Sequence, residues 1–229
     1  LNFLSEATEI IAIDGPAGAG KSSIAKAAAK ALGFAFLDTG AMYRAATWLV
    51  RETGVPLTDP EAVVAAVAAM DLDLEETPAG QRVLVNGQDV TEAIRTPEVT
   101  RMISTIDHIP ALRRQLVAMQ RAFGESRPTV AEGRDIGTVV FPRARCKIYM
   151  DAAPEERARR RALEMREKGQ AVDEAALVEE IRKRDADNMN RTESPLRCAE
   201  DAVRLDTTGK PFDAVLEEVI ALARERLGL

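Results

Sequence analysis

The spacing Gly15-x-x-x-x-Gly20-Lys21-Ser22 limits what this chain can fold into more than any other stretch. It follows the apolar run Ile10-Ile11-Ala12-Ile13 and precedes the helix-prone segment Ile24 to Leu32. Strand, glycine loop and helix in that order are what a phosphate-binding loop requires. The glycines let backbone N–H groups converge on a polyphosphate, and the helix behind them points the positive end of its dipole at the same anion. On this reading Gly15, Pro16, Ala17, Gly18, Ala19, Gly20, Lys21, Ser22 and Ser23 form the cradle of a nucleoside triphosphate. Lys21 reaches the β- and γ-phosphates, and the Ser22 hydroxyl completes a Mg2+ sphere made mostly of phosphate oxygens and water. A loop of this kind says that a triphosphate is bound, and the rest of the chain must say why.

Composition narrows the choices. A length of 229 residues fits one α/β domain with room for a small insertion. The formal charge of −6 argues against broad nucleic-acid binding, whose usual footprint is a basic surface. An acidic protein that handles phosphates must therefore gather its arginines locally. Cys146 and Cys198 show neither CxxC nor CxH spacing, which points to reduced thiols and a cytoplasmic location, with Cys146 in a buried strand. The single His108 leaves no basis for a zinc site or a histidine-based triad. No long apolar run suggests a membrane span. The stretch Leu1 to Ile10 carries Glu6 and Glu9 and lacks a basic start, so no secretory signal is expected.

Taken in order, Phe34 to Leu37 is a short strand closing a first βαβ unit. Ligands of open parallel sheets bind beyond the carboxyl ends of strands, which draws attention to Asp38, Thr39, Tyr43 and Arg44 as residues facing the same crevice as the glycine loop. Asp59-Pro60-Glu61 starts a helix to Met70. Asn86-Gly87 between short apolar runs marks a hairpin, the sign of a small antiparallel insertion. Thr96-Pro97 opens a helix whose apolar face is Val99, Met102, Ile103 and Ile106, and Pro110 opens another with Leu112, Leu116, Met119 and Phe123 on one side.

The strand Thr129-Val130-Ala131 ends in Glu132-Gly133-Arg134-Asp135-Ile136-Gly137, where two glycines around an Arg-Asp pair mark close backbone approach to a ligand. Lys147 to Asp151 is the next strand. In the helix after it, Arg157, Arg160 and Arg161 fall on one face, opposed by Ala158, Ala162 and Met165. Arg184, Asn188 and Arg191 share a face of the following helix if that helix continues. A helical hairpin with two arginine faces reads as a mobile lid over a phosphate site. Val203 to Asp206 is the last strand, and Phe212, Val215, Leu216, Val219, Ile220, Ala223 and Leu227 form the stripe by which the terminal helix packs on the sheet.

These stretches together resemble the bacterial cytidylate kinases of the nucleoside monophosphate kinase superfamily. The resemblance rests on the Ile13 to Ser23 loop, Leu37 to Ala45, Ala131 to Pro142, Lys147 to Ala152 and Arg184 to Arg191, and runs over nearly the whole chain. It implies an α/β fold of the P-loop NTPase type, a parallel sheet flanked by helices with an antiparallel insertion and a helical lid. The expected division is a core of 10–40, 127–155 and 200–229, a monophosphate-binding region of 41–126 and a lid of 156–192. The implied reaction is ATP- and Mg2+-dependent phosphorylation of CMP and dCMP by a cytoplasmic monomer. By the same resemblance, Arg44, Arg134 and Arg191 hold the acceptor phosphate, Ser104, Arg113 and Asp135 read cytosine, and Arg160 and Arg184 approach the transferring group alongside Lys21. Asn188 departs from the aspartate common in the family, so an acidic contact there is in doubt. A kinase for UMP, AMP or shikimate, and a regulatory P-loop ATPase, remain the alternatives on sequence alone.

Overall fold

Ile10–Asp14 is apolar up to its last residue and buried at every position, as a strand covered on both faces must be. This strand, β1, is the middle of a five-stranded sheet in a computed structural model that describes residues 9–77, 80–167 and 169–229. The residues of the expected signal-free start before Glu9 lie outside that range. The other strands are β2 (Ala35–Asp38), β6 (Thr129–Gly133), β7 (Cys146–Asp151) and β8 (Val203–Asp206), in the order β2-β6-β1-β7-β8. β1 pairs in parallel with β6 and β7, and β7 with β8. β2 is therefore not the neighbour of β1, because β6 occupies the place between them.

The described residues form two compact units, one of the chain up to Leu37 with Gly124–Leu229, the other Asp38–Phe123. In the first, α1 (Lys21–Leu32) and α8 (Phe212–Leu227) pack with the sheet through Ile24, Ala28, Val215, Val219 and Ala223. Phe212 is not part of that stripe. As the first residue of α8 it is 48% exposed. α6 (Pro154–Glu167) and α7 (Glu174–Met189) pair through Ala158, Ala162, Leu177 and Ile181.

In the second unit, α2 (Thr39–Glu52) is capped by Asp38, whose carboxylate accepts the Ala41 N–H at 2.8 Å. α3 (Pro60–Ala68) is capped by Asp59 in the same way. β3 (Leu72–Thr77), β4 (Gly80–Val85) and β5 (Gln88–Asp89) make the antiparallel sheet expected from Asn86-Gly87. Asn86 and Gly87 have φ of 51° and 77°, the left-handed pair that a two-residue hairpin loop needs. α4 (Pro97–Met102) is shorter than its apolar spacing suggests. The hydroxyls of Ser104 and Thr105 bond back to the Arg101 and Met102 carbonyls, and a 3-10 turn over Ile103–Thr105 replaces the last helical turn. α5 is Pro110–Ser126.

Candidate functional site

The glycine loop leaves β1 with a backbone that only glycine adopts comfortably. Gly15 has φ of 147°, and a Cβ there would stand 1.9 Å from the Met150 carbonyl oxygen. Gly20 caps α1 in the left-handed region without a side-chain cap, and the first turn of α1 carries no acid. The N-terminal N–H groups of α1 are thus presented to an anion, as the spacing predicts. Lys21 folds across its own loop, and its buried Nζ donates to the Pro16 carbonyl at 2.8 Å. Ser22 and Ser23 are exposed at the start of α1, and the Ser22 hydroxyl donates to Glu132 Oε1 at 2.6 Å.

Glu132 is the second element of the site and was not singled out by its sequence position. It lies at the end of β6, paired in register with Ile13. Just beyond it, Arg134 Nη1 donates to the Gly15 carbonyl at 3.1 Å, and Asp135 is 6% exposed. Burial, together with repulsion from the Arg184 and Arg191 guanidinium groups, lowers the pKa of Arg134, while Glu132 and Asp185 oppose that shift. Arg134 is thus the predicted arginine bonded to the loop, and burial first, then the positive charge of Arg184 and Arg191, disfavours its charged state.

Asp14, the last residue of β1, sits behind this cluster. Its Oδ1 accepts the Ile136 N–H and its Oδ2 the Gly137 N–H, each at 2.7 Å, holding the first turn of a π-helical segment, Ile136–Val140. Burial outweighs those two bonds and pushes the Asp14 carboxyl up to about 6.

The arginines of α6 stand at i, i+3 and i+4 as their spacing predicts but take different partners. Arg157 is buried among the core residues and is held by Asp185 at 2.5 Å, the Ala152 carbonyl at 2.8 Å and the Ala17 carbonyl of the loop at 3.1 Å. Arg160 donates to the Thr207 hydroxyl and carbonyl at 3.1 and 2.7 Å and to Glu156, and its Nη1 lies 3.7 Å from where a Gly20 Cβ would be. Thr207 in turn donates to the Ala19 carbonyl at 3.2 Å. Arg161 turns outward to Glu180. Arg157 thus reaches both α7 and the loop, Arg160 the residue after β8, and Arg161 α7 through Glu180. α7 also stops before Arg191: the Asn190 N–H closes on the Ala186 carbonyl, so Arg191 follows the helix rather than extending its face. The Asn188 side-chain amide donates to the Arg184 carbonyl at 2.8 Å.

In the second unit, Thr39 is buried at the start of α2, and Arg44 is paired with Asp38 at 2.8 Å. Arg113 is 5% exposed, donates to the Asp107 carbonyl at 3.2 Å and lies over the Tyr43 ring at 5.4 Å. Ser104 is exposed in the 3-10 turn.

Several residues of the site escaped the sequence reading. Asp14 and Glu132 carried a usable signal, an acid ending an otherwise apolar strand, and Thr207 directly follows the end of β8. Arg157 stands out only as one of the α6 arginines, and Asp185 gave no signal.

A glycine loop at the tip of a central parallel strand, a lysine laid over it and Arg134 at the end of the adjacent strand define a P-loop α/β protein of the kind that handles phosphate groups. Residues 11–225 match the family described as cytidylate kinase, and the chain belongs to that family. It is 47% identical over 227 residues to the bifunctional pantoate ligase/cytidylate kinase of Synechococcus sp. (strain CC9902), covering 98% of this chain and 47% of that protein. It is 50% identical over 222 residues to the protein of the same description from Synechococcus elongatus, covering 95% and 42%. The chain spans about half the length of the curated relatives it matches. An uncharacterized protein from Eubacterium ventriosum ATCC 27560 has a similar fold, with a TM-score of 0.50, 13% identity and coverage of 96% and 99%.

Proposed function

We propose that this chain transfers the γ-phosphoryl group of ATP to CMP, and also to dCMP, giving CDP or dCDP and ADP. One observation carries the reading: Arg134, at the end of β6, donates to the Gly15 carbonyl of an anion-binding loop, in a chain of the cytidylate kinase family. Arg184 and Arg191 add positive charge felt at Arg134, which a polyanionic ligand would offset.

The attacking atom is a phosphate oxygen already ionised at neutral pH, so the reaction needs alignment and charge neutralisation rather than a general base. Lys21 would exchange its bond to Pro16 for the β- and γ-phosphates. When bound, Mg2+ supplies neutralisation of phosphate charge, and Ser22, with Glu132 beside its hydroxyl, is the side chain fitted to hold it. Arg134 and Arg191 take the acceptor phosphate, with Arg44 of the second unit, because the guanidinium fork makes two parallel bonds. Arg184 and Arg160 act on the transferring group and the donor, and residues 156–192 serve as a lid that excludes water. Asp135 accepts from the cytosine N4 amino group, where uracil has a carbonyl; Ser104 and Arg113 contribute to base reading from the second unit, with Asp38, Thr39 and Tyr43 around the acceptor.

Further readings complete the proposal. Reduced Cys146 and Cys198 fit the cytoplasm, and pyrimidine nucleotide metabolism follows from the reaction. A monomer is part of the same reading; among the described residues the exposed large apolar side chains are Leu163, Met189, Phe212 and Leu229. Among those residues, no helix is long and apolar enough to cross a membrane.

ADP release measured with CMP, dCMP, UMP, AMP and GMP in turn tests the activity; CMP and dCMP are expected to be preferred, and a preference for AMP or GMP would overturn it. Asp135→Ala should erode the CMP over UMP preference by about 1–3 kcal/mol, the scale of a base-edge contact. An unchanged ratio would remove Asp135 from base reading.

A further inference from the structure

The Asp14 carboxylate is spent on backbone rather than on a ligand. It is the residue immediately before Gly15, yet both of its oxygens accept N–H groups from the segment immediately after Asp135, at 2.7 Å each. The Arg134 guanidinium crosses the same gap in the other direction, to the Gly15 carbonyl. These three bonds tie the donor loop to the turn carrying Arg134 and Asp135, across strands that are adjacent only because of the sheet order. The fit is close, since a Cβ on Gly137 would lie 3.2 Å from Asp14 Oδ2 and 3.1 Å from Lys147 Cδ.

We propose that Asp14 is a positioning residue for the acceptor nucleotide, holding the Arg134-Asp135 turn in fixed register with the phosphate loop. The inference rests on the kinase reading above. A buried carboxylate whose ionised form is disfavoured by desolvation, with Asp135 nearby to disfavour it further and Lys21 to offset part of this, is a poor device for stability alone. Its geometric product is instead specific. Two acceptor oxygens match two converging N–H groups, which an amide cannot do, because one of its two ends is a donor.

Asp14→Asn keeps the shape and removes one acceptor, so it should loosen the turn while sparing the loop. The expected result is a KM for CMP raised about tenfold, a KM for ATP within about twofold of the parent and a thermal midpoint within a few degrees. Gly137→Ala, which crowds the same carboxylate from the other side, should repeat the split in milder form. If Asp14→Asn raises both KM values alike, or lowers only the thermal midpoint, Asp14 is a structural residue and the proposal falls. Asp135→Ala run in parallel reports on base reading separately, through the CMP/UMP ratio. Absence of CMP-dependent ADP release from the parent protein would sink the activity itself, and the positioning role with it.

Discussion

The two units hold their arginines in different ways. In the first, guanidinium groups are pinned by backbone carbonyls far away in the chain: Arg134 reaches Gly15 across 119 residues and Arg157 reaches Ala17 across 140. Arg160 is braced by Thr207, which reaches Ala19 across 188. In the second, Arg44 pairs with Asp38 and Arg113 bonds the Asp107 carbonyl, each a separation of 6 residues. The first arrangement exists only once the parallel sheet has assembled, whereas the second can largely form with its own helix and turn. Arg134 and Arg157 are thus held by the glycine loop itself. Arg44 and Arg113 of the smaller unit have partners six residues away, although its Arg51 reaches Glu98 across 47.

This contrast can be broken most sharply at the Arg157–Asp185 pair, with side chains 3% and 12% exposed. Asp185→Ala leaves a buried guanidinium with only carbonyl partners and should cost about 3–5 kcal/mol in urea unfolding. A cost no larger than that of a surface pair would show that the loop does not depend on its remote brace. Next in size, Lys21→Ala should reduce turnover by at least about 100-fold in a coupled ADP-release assay, with little change in unfolding midpoint. Full activity would refute the assignment of the loop.

A pH series sharpens the comparison further. The Asp14 carboxyl is raised from 3.8 to about 6 in the folded protein, so the native state binds its proton more tightly than the unfolded chain. Its stabilising contribution is present at low pH and is lost as pH rises through about 6. Relative to Asp14→Asn, the parent should lose about 2 kcal/mol of unfolding free energy between pH 4.5 and 7.5, as measured by urea titration at both values. Parallel stability profiles would mean that Asp14 titrates normally. The smallest effect belongs to the second unit. Asp38→Ala removes the α2 cap and the Arg44 partner together and should cost about 1 kcal/mol, while Asp38→Asn retains the cap and should cost less. Equal costs for the two substitutions would place the stabilisation in the ion pair instead.

Much of the local structure was legible in the residues. The strand-loop-helix at Gly15 to Ser22, the hairpin at Asn86-Gly87 and the helix starts at Asp59, Thr96 and Pro110 each follow from φ preferences, caps or periodicity that act over a few residues. The failures share a cause. Periodicity placed Arg157, Arg160 and Arg161 together because it cannot tell a charged residue facing solvent from one facing a buried partner on another helix. It left open whether α7 runs on to Arg191, and the chain turns out of the helix after Met189.

By itself the sequence determined that a glycine-rich loop of phosphate-binding spacing follows the first strand, that a small hairpin interrupts the fold, and which arginines are available. Tertiary structure alone decided which of them reaches the loop, because β6 entered the sheet between β1 and β2 and so brought Glu132 and Arg134 beside a loop more than a hundred residues earlier. Backbone preferences act between near neighbours in the chain. Charge, burial and hydrogen bonding act between neighbours in space, and only strand order says who those are.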